Sequence, residues 1–168
     1  MKEYDENLLT VQKAAEDRGI DVHSIKKGDS LEFGDTKFKC LHPTLDTSSD
    51  DLNDYSIVLS VEYGNYSMLL TGDLTSTQET YMKDLKQYTL LKVGHHGSKY
   101  SSSEDFLRAI KPKIGILSSG KGNRYGHPTP EVIHRLDSIG CKIIRTDESG
   151  GISIVSYGEN IEIDTFLN

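Results

Sequence analysis

The sequence has no apolar run that approaches the roughly 20 residues of a membrane-spanning helix, and its amino terminus lacks the pattern of a signal peptide. These absences predict a chain that is itself soluble, with any membrane attachment outside it. Long linkers, low-complexity tracts and internal repeats are also missing. The 168 residues are 35% hydrophobic and 27% charged, which is typical of one globular domain with a buried core.

Cysteine is scarce. The two cysteines, Cys40 and Cys141, lie far apart and form no C-x-x-C pair. They make no recognisable metal site, and their positions alone predict no disulfide. We expect two buried thiols, each in a strand.

Positive charge is also in short supply, since the formal net charge is −7. This balance argues against a nucleic-acid surface over the whole chain. Residues 92–124 are the exception, because they carry a local charge of +5 and leave −12 for the remainder. Such a positive island would attract a phosphate-bearing substrate. The alternative is that its lysines are ordinary solvated surface residues.

Two apolar stretches end in residues that commonly bind metals. Residues 69–73 (LLTGD) end in Asp73, and residues 90–98 (LLKVGHHGS) contain His95 and His96 between glycines. Each predicts a buried strand whose carboxyl end carries ligands into a loop. A carboxylate can bridge two cations, and neutral imidazole suits zinc and similar metals. The alternative is that Asp73 caps the next helix and that the histidines are ordinary loop residues.

Strands and helices alternate along the sequence, which predicts one α/β domain. Strands are expected at residues 30–33, 37–41, 56–63, 66–71, 89–93, 113–117, 141–145, 151–156 and 159–163. Helices are expected at residues 4–18, 76–86, 101–111 and 129–139. The first helix presents Tyr4, Leu8, Val11 and Ala15 on one face. The next three begin at the capping boxes Ser76-x-x-Glu79 and Ser101-x-x-Glu104 and at Thr129-Pro130.

Two further histidines precede prolines in loops. His42 is expected to be a surface residue of the polar loop 42–53, although it is placed where it could approach the site. His127 lies in a glycine-bounded loop that a neighbouring strand end would hold near the other histidines. It could protonate a leaving oxygen or bind phosphate. The alternative is that it belongs to a rigid turn.

Several polar residues around these histidines are candidates for contact with a substrate phosphate. Ser98 and the amino terminus of the following helix could donate hydrogen bonds to phosphate oxygens. Arg124 and Tyr125 combine a cation with a stacking ring, a pairing used to bind single-stranded nucleic acid. Lys99 and Asn123 complete this predicted set.

The order TGD followed by GHHGS, at residues 71–73 and 94–98, resembles the later half of the metallo-β-lactamase fold. The segment NRYGHP at 123–128 and RTD at 145–147 narrow the resemblance to the carboxyl-terminal domain of ComEC-type DNA-internalisation competence proteins. The segment NDYSIVL at 53–59 and KGD at 27–29 fit the same pattern. The resemblance therefore covers nearly the whole chain.

This resemblance implies an αββα sandwich with mixed sheets and a site that holds two metal ions about 4 Å apart. It implies that Asp73 is a bridging ligand and that one of the two adjacent histidines binds metal. We favour His96 as that ligand and His95, with His127, as catalytic residues. Zinc or manganese would be the cofactor.

The family's main ligand motif, H-x-H-x-D-H, is absent, because none of the six histidines has that spacing. Residues 1–168 are therefore expected to form one partial domain that lacks this upstream motif. Metal binding should be weak or absent here. The missing upstream half of the domain and the membrane channel of the parent protein would be its partners. The parent would lie in the bacterial cell membrane, with this domain on the extracytoplasmic side.

The resemblance implies a metal-dependent phosphodiesterase, specifically a nuclease acting on the DNA strand that is not imported, with this fragment inactive alone. Single-stranded DNA or another phosphodiester would be the substrate. One alternative is a folded fragment or interaction domain without catalysis. Another is an esterase for small phosphodiesters, such as a phosphocholine ester.

Overall fold

The computed structural model of the chain describes residues 6–83 and 85–167. Seven strands form one sheet in which the spatial order of the strands is their order in the sequence. These strands are β1 (Ser30–Phe33), β2 (Thr36–His42), β3 (Val58–Tyr63), β4 (Tyr66–Leu70), β5 (Leu90–Lys92), β6 (Ile114–Leu117) and β7 (Lys142–Arg145). A separate two-stranded sheet consists of β8 (Ile152–Ser156) and β9 (Ile161–Thr165).

The direction of strand pairing changes at β4. The first four strands are antiparallel neighbours, and the predicted two-residue turn at Gly64 and Asn65 joins the paired residues Tyr63 and Tyr66. From β4 to β7 the strands run parallel, and parallel neighbours require crossover connections. The predicted mixed sheet of an α/β domain is confirmed.

Helices occupy these crossovers and also lie before β1 and after β7. They are α1 (Glu6–Glu16), α2 (Ser76–Glu79), α3 (Glu104–Ile110), α4 (Pro130–Ser138) and α5 (Thr146–Ser149). α4 begins as predicted, with Thr129 as its N-cap and Pro130 in its first turn. Within the described ranges, no helix has the length and apolar character needed to cross a membrane.

The hydrophobic core packs the parallel strands against α3 and α4. Leu69 of β4, Leu91 of β5 and Leu117 of β6 have no exposed surface, and they share one cluster with Leu107 of α3 and Leu136 of α4. Burying one such side chain contributes roughly 1.5–3 kcal/mol. This packing holds the carboxyl ends of the parallel strands side by side.

α2 is much shorter than the helix predicted over residues 76–86. Its N-cap is Thr75 rather than the first residue of the predicted capping box, and it ends at Glu79. The chain then turns more tightly, with the amide of Met82 donating to the carbonyl of Glu79 at 3.1 Å. Met82 and Leu85 thereby pack against the core, so tertiary packing ends the helix before its periodic pattern does.

A buried carboxylate from α2 caps α3. Ser103 rather than the predicted Ser101 is the N-cap, and the hydroxyl of Ser101 donates to the carbonyl of Leu74 at 2.7 Å. The carboxylate of Glu79 accepts from the amides of Ser102 (2.6 Å) and Ser103 (2.8 Å). Glu79 is only 5% exposed, and burial raises the pKa of its carboxyl group. The sequence therefore identified the acid but assigned it to the wrong helix.

α1 forms inside the predicted range 4–18, with Val11 of its apolar face open to solvent. Val11 is 67% exposed and Ala15 is half-buried. Tyr4, which the periodicity places on the same face, lies outside the described residues. The periodicity thus predicted the helix without indicating a partner for its face.

Both thiols are free and buried, as predicted. Cys40 lies in β2, whereas Cys141 precedes β7 by one residue. Burial raises the pKa of the Cys141 thiol to about 11. A thiol with such a pKa remains protonated at neutral pH and is a poor nucleophile.

Replacing Glu79 by alanine should destabilise the fold, because the amides of Ser102 and Ser103 would lose their acceptors. We expect the free energy of unfolding in urea to fall by about 1–3 kcal/mol, the cost of an unsatisfied buried polar group. Because burial raises the pKa of Glu79, its protonation favours the folded chain. The stability that this protonation contributes is fully present below the ordinary glutamate pKa and is lost as pH rises through the raised pKa. The alanine variant should therefore lack this dependence of the free energy of unfolding on pH.

Glu104→Ala is the matched control, because that carboxylate lies on the exposed face of α3 and pairs with Arg108 at 2.5 Å. It should change stability little. Equal losses for the two variants would exclude the proposed cap.

Candidate functional site

Three loops converge at the carboxyl ends of β4, β5 and β6. They are residues 71–75, 93–98 and 118–129. The amide of His95 donates to the carbonyl of Gly72 at 3.0 Å, which joins the first loop to the second. The amide of Thr129 donates to the carbonyl of Gly97 at 2.9 Å, which joins the third. Ligands bind at this edge in open parallel sheets.

Gly94 and Gly97 let the histidine loop lie against its neighbours. A Cβ atom on Gly94 would lie 2.3 Å from Oγ of Ser101, and one on Gly97 would lie 2.6 Å from Cβ of Pro128. Gly97 also has a φ of 84°, in the left-handed region that glycine adopts without strain. A side chain at either position would overlap these neighbouring atoms, which would then have to shift.

The two histidines between these glycines have strained backbones. His95 has a φ of 47° and His96 a φ of 55°. Left-handed conformations in residues other than glycine cost of order 1–3 kcal/mol each and cluster at functional sites. The surrounding contacts therefore hold this pair of imidazoles against the local preference of the chain.

The carboxylate of Asp73 and the imidazole of His96 face each other. Gly72 has a φ of 54°, and the amide of Asp73 donates to Oγ of Ser56 at 3.1 Å, so the backbone directs the carboxylate. Its Oδ1 lies 3.8 Å from Nε2 of His96. The side chains are 39% and 50% exposed respectively. The fold therefore brings together the two residues predicted as metal ligands.

The other nitrogen of His96 fixes the state of the ring. Nδ1 lies 2.6 Å from the carbonyl oxygen of Ser118, which can only accept a hydrogen bond, so Nδ1 carries a hydrogen. In the neutral ring, Nε2 then carries the lone pair, and Oδ1 of Asp73 lies 3.8 Å from that nitrogen. Nε2 of His96 and Oδ1 of Asp73 are then both electron-pair donors, so a proton or a cation between them would stabilise the pair. A bound imidazole commonly donates its second N–H to a carbonyl in this way.

An aromatic row lies beside this pair. The ring centroids of His95 and His127 are 5.7 Å apart at 78°, and those of His127 and Tyr125 are 5.9 Å apart at 25°. Arg124 covers Tyr125, with Cζ 4.7 Å from the ring centroid. The rings of His95, His127 and Tyr125, with this guanidinium, form what we call the aromatic row. Since Tyr125 already contacts both Arg124 and His127, a base that stacked on it would have to displace one of them.

Asn123 shapes the loop that carries the row. Its side-chain oxygen accepts from the amides of Tyr125 and His127, each at 3.1 Å. Its side-chain nitrogen donates to the carbonyls of Gly120 (2.9 Å) and His127. The predicted substrate contact of Asn123 is untested, but these hydrogen bonds make it a positioning residue for His127.

Electrostatics favour a neutral His127. Partial burial lowers the pKa of its imidazole, the neighbouring His95 and His96 lower it further, and Asp73 opposes them. Burial also lowers the pKa of Lys92, against the attraction of Asp73. The ammonium group of Lys92 donates to the carbonyl of Val93 at 2.9 Å. This member of the positive island is therefore half-buried and bonded to the backbone.

A cleft of about 460 Å³ opens next to His96. Its lining includes three of the predicted site residues, Asn123, Tyr125 and His127. The other lining residues are Ser118, Ser119, Gly120, Thr146, Gly150 and Gly151. Sequence reasoning missed this second group as site residues. The RTD segment that contains Thr146 contributed to the family resemblance, but nothing in the pattern placed it beside the histidines.

The remaining candidates differ in their access to the site. Ser98 is only 3% exposed, and its hydroxyl accepts from the amide of Tyr100 at 3.4 Å. Lys99 is exposed, and its ammonium group lies 5.1 Å from the centre of the Tyr100 ring. Arg108, another member of the positive island, pairs with Glu104 instead. The substrate-binding roles of Ser98 and Lys99 stay predictions.

The expectation that His42 is a surface residue was wrong. It is 3% exposed at the end of β2, and its Nδ1 lies 2.9 Å from the carbonyl oxygen of Ser56. The loop before β3 returns over β2, and packing there removes His42 from solvent. Ser56 thereby connects His42 to the amide of Asp73.

The described residues do not complete a metal site. Among them, no group of three or more histidine, cysteine, aspartate or glutamate side chains is placed to hold one ion. Asp73 and His96 fit two positions, whereas a stable zinc site needs three or four protein ligands. The remaining ligands would have to come from outside this set.

Comparisons with known proteins agree with the fold. The sequence profile of the metallo-beta-lactamase superfamily matches residues 34–121. ComE operon protein 3 of Bacillus subtilis is 38% identical over 151 residues, which cover 88% of this chain and 19% of that protein. Competence protein ComA of Neisseria gonorrhoeae is 41% identical over 120 residues, covering 68% of this chain and 17% of that protein.

A solved structure, that of a mutant CmlA beta-hydroxylase, covers 74% of this chain and 32% of its own, with 14% identity and a TM-score of 0.49. The chain spans less than a fifth of the length of either bacterial relative. The superfamily match includes both Asp73 and the histidine loop. On that match, the chain belongs to the metallo-β-lactamase superfamily.

Proposed function

We propose that this chain is part of a metal-dependent phosphodiesterase domain in which Asp73 and His96 bind a divalent metal. The observation that carries the proposal is their facing arrangement, with Oδ1 3.8 Å from Nε2 and the ring oriented by the carbonyl of Ser118. When bound, such a metal polarises a phosphoryl oxygen and lowers the pKa of bound water. Zinc or manganese suits a carboxylate and imidazole pair.

His95 and His127 are the proposed partners of the substrate. The lowered pKa of His127 favours its neutral form, which can donate a hydrogen bond to a phosphate oxygen or accept a proton. It is less suited to the predicted protonation of a leaving oxygen. The edge-on contact of His95 with His127, with ring centroids 5.7 Å apart, places the two imidazoles side by side.

DNA is the proposed substrate. Arg124 presents an exposed cation at the outer end of the aromatic row, and the local charge of +5 over residues 92–124 favours a polyanion. Two relatives bear names tied to competence. We propose cleavage of the strand that is not imported, by a domain on the outer face of the bacterial membrane.

The incomplete ligand set bears on the activity of this chain by itself. We propose that an H-x-H-x-D-H segment supplies the missing ligands in the parent protein, and that the chain without it is inactive. The absence of a third ligand among the described residues also favours the alternative of a folded domain without catalysis. The cleft beside His96 favours a small-phosphodiester esterase, because its 460 Å³ suits a small organic group.

In equilibrium dialysis against zinc or manganese, the chain should retain less than one ion per molecule, because two ligands hold an ion weakly. Asp73→Asn and His96→Ala should each lower that binding at least about tenfold. His134→Ala, which removes an exposed histidine of α4, is the control and should bind as the unaltered chain does. Two tightly held ions per chain, or equal losses in all three variants, would contradict the assignment.

Substitutions of the two adjacent histidines should have different effects in a protein that carries this chain together with an H-x-H-x-D-H segment. His96→Ala should lower metal occupancy, whereas His95→Ala should lower turnover of single-stranded DNA at unchanged occupancy. The opposite pattern would exchange their roles. A chromogenic phosphodiester is assayed in parallel, with and without a chelator. Hydrolysis of the chromogenic ester while DNA stays intact would replace the nuclease by a small-molecule esterase.

Arg124→Ala should weaken binding of single-stranded oligonucleotides of all sequences to similar extents. Fluorescence anisotropy over a salt series should also give a slope of log affinity against log salt that is smaller by about one unit. Arg108→Ala is the matched control, because that guanidinium is already paired with Glu104 at 2.5 Å. If both variants keep the original slope, Arg124 does not contact the DNA backbone.

A further inference from the structure

The peptide group between Ser118 and Ser119 is hydrogen-bonded on both sides. Its carbonyl oxygen accepts from Nδ1 of His96 at 2.6 Å. Its N–H group donates to Oγ1 of Thr146 at 2.9 Å. The Thr146 hydroxyl in turn donates to the carbonyl of Ser119 at 2.9 Å. One threonine therefore makes two hydrogen bonds to the backbone segment that orients the imidazole.

A peptide group is a rigid plane, so these contacts are mechanically coupled. In a trans peptide the C=O and N–H bonds point in opposite directions across the plane. Rotation that turned the carbonyl of Ser118 away from His96 would also break the bond from Ser119 to Thr146. Hydrogen bonds in such a chain polarise and strengthen one another. Fixing the N–H end thus fixes the acceptor at the other end.

The turn that carries Thr146 is itself held firmly. Nε and one terminal nitrogen of Arg145 donate to the two carboxylate oxygens of Asp147 at 3.0 and 2.6 Å. Another terminal nitrogen of Arg145 lies 3.0 Å from the carboxylate of Glu148. The side chains of Arg145 and Asp147 are only 25% and 13% exposed. A two-pronged pair of this kind has a fixed geometry, so Thr146 lies on a rigid support.

We infer that Thr146 is a positioning residue that holds His96 with its hydrogen on Nδ1 and its lone pair on Nε2, the nitrogen that lies 3.8 Å from Oδ1 of Asp73, acting through the Ser118–Ser119 peptide. The inference rests on the proposed function in one respect, namely that the ligand of His96 is a divalent metal. The hydrogen-bond chain itself is independent of any metal. Sequence position alone gives no hint of it, since 50 residues separate His96 from Thr146.

The test is nitrogen-15 NMR of the imidazoles in the metal-free chain at about pH 8, above the ordinary histidine pKa. The nitrogen shifts of His96 report which nitrogen carries the hydrogen. In Thr146→Val, which keeps the shape of the side chain but removes the hydroxyl, the ratio of the Nδ1–H to the Nε2–H form should fall about threefold to tenfold, as loss of one hydrogen bond allows. Thr146→Ser retains the hydroxyl and should therefore keep the ratio of the unaltered chain.

Thr80→Val is the matched control, because that threonine is exposed and its hydroxyl bonds only locally, to the carbonyl of Thr77 at 2.7 Å. It should leave the His96 signals unchanged. An unaltered ratio in a folded Thr146→Val variant, or a predominant Nε2–H form in the unaltered chain, would overturn the inference. If Thr146→Val does not fold, Asp147→Asn loosens the same turn. A shift in the same direction supports the inference, and no shift overturns it.

The same samples separate this inference from the proposed function. Zinc titration of the unaltered chain and of Thr146→Val should give weaker binding in the variant, in proportion to the fall in the fraction of His96 that carries its hydrogen on Nδ1. If the ratio shifts but the unaltered chain binds no zinc, the positioning role stands and the proposed metal role of His96 fails. If zinc binds equally to the unaltered chain and to Thr146→Val while the ratio is unaltered, the positioning role of Thr146 fails and the proposed metal role of His96 stands.

Discussion

The close approach of the histidine loop to the loops on either side is the constraint on which the candidate site depends. A Cβ atom on Gly94 would overlap the hydroxyl of Ser101, and one on Gly97 would overlap Pro128. Glycine at these two positions therefore lets the loop lie directly against Ser101 and Pro128. A hydrogen bond from His95 to Gly72 joins this loop to the loop after β4, and one from Thr129 to Gly97 joins it to the loop after β6. These bonds hold together the three loops that carry Asp73, His96 and His127.

The strained backbone of His95 and His96 is held in place by contacts with the neighbouring loops. His95 and His96 have left-handed backbones, which the chain would not adopt by itself. A carbonyl acceptor for Nδ1 of His96 and a ring contact for His95 are among the interactions that hold them there. The pair consequently presents its nitrogens in directions that an unstrained turn would not give. Contacts within the chain therefore orient these side chains without a ligand. Such preorganisation lowers the cost of ordering the site when a ligand binds.

Much of this architecture follows from patterns in the sequence. Apolar runs that end at Asp73 and at His95 predicted strand ends correctly, because hydrophobic burial of β4 and β5 dominates those segments. The proline after Thr129 predicted the start of α4 for a local steric reason. The patterns failed where tertiary contacts decide the outcome, as for Glu79, which caps a helix other than its own, and for His42, which packing buries. Thr146 could not be linked to His96, since the hydrogen bonds between them run through a backbone group and leave no mark on residue type.

The strand order has a consequence for how the chain folds. Because β1 to β7 lie in space in the order in which they occur in the sequence, each strand as it is synthesised meets the free edge left by the strand before it. No strand has to wait for a later one to be inserted between it and its neighbour. Pairings of this kind keep the sequence separation of contacts low, which favours rapid folding. The bond from Asn65 to Gly158 joins parts of the chain more than 90 residues apart. The β8–β9 hairpin can therefore make this contact only after almost the whole described chain has been synthesised, whereas the seven-stranded sheet can pair strand by strand.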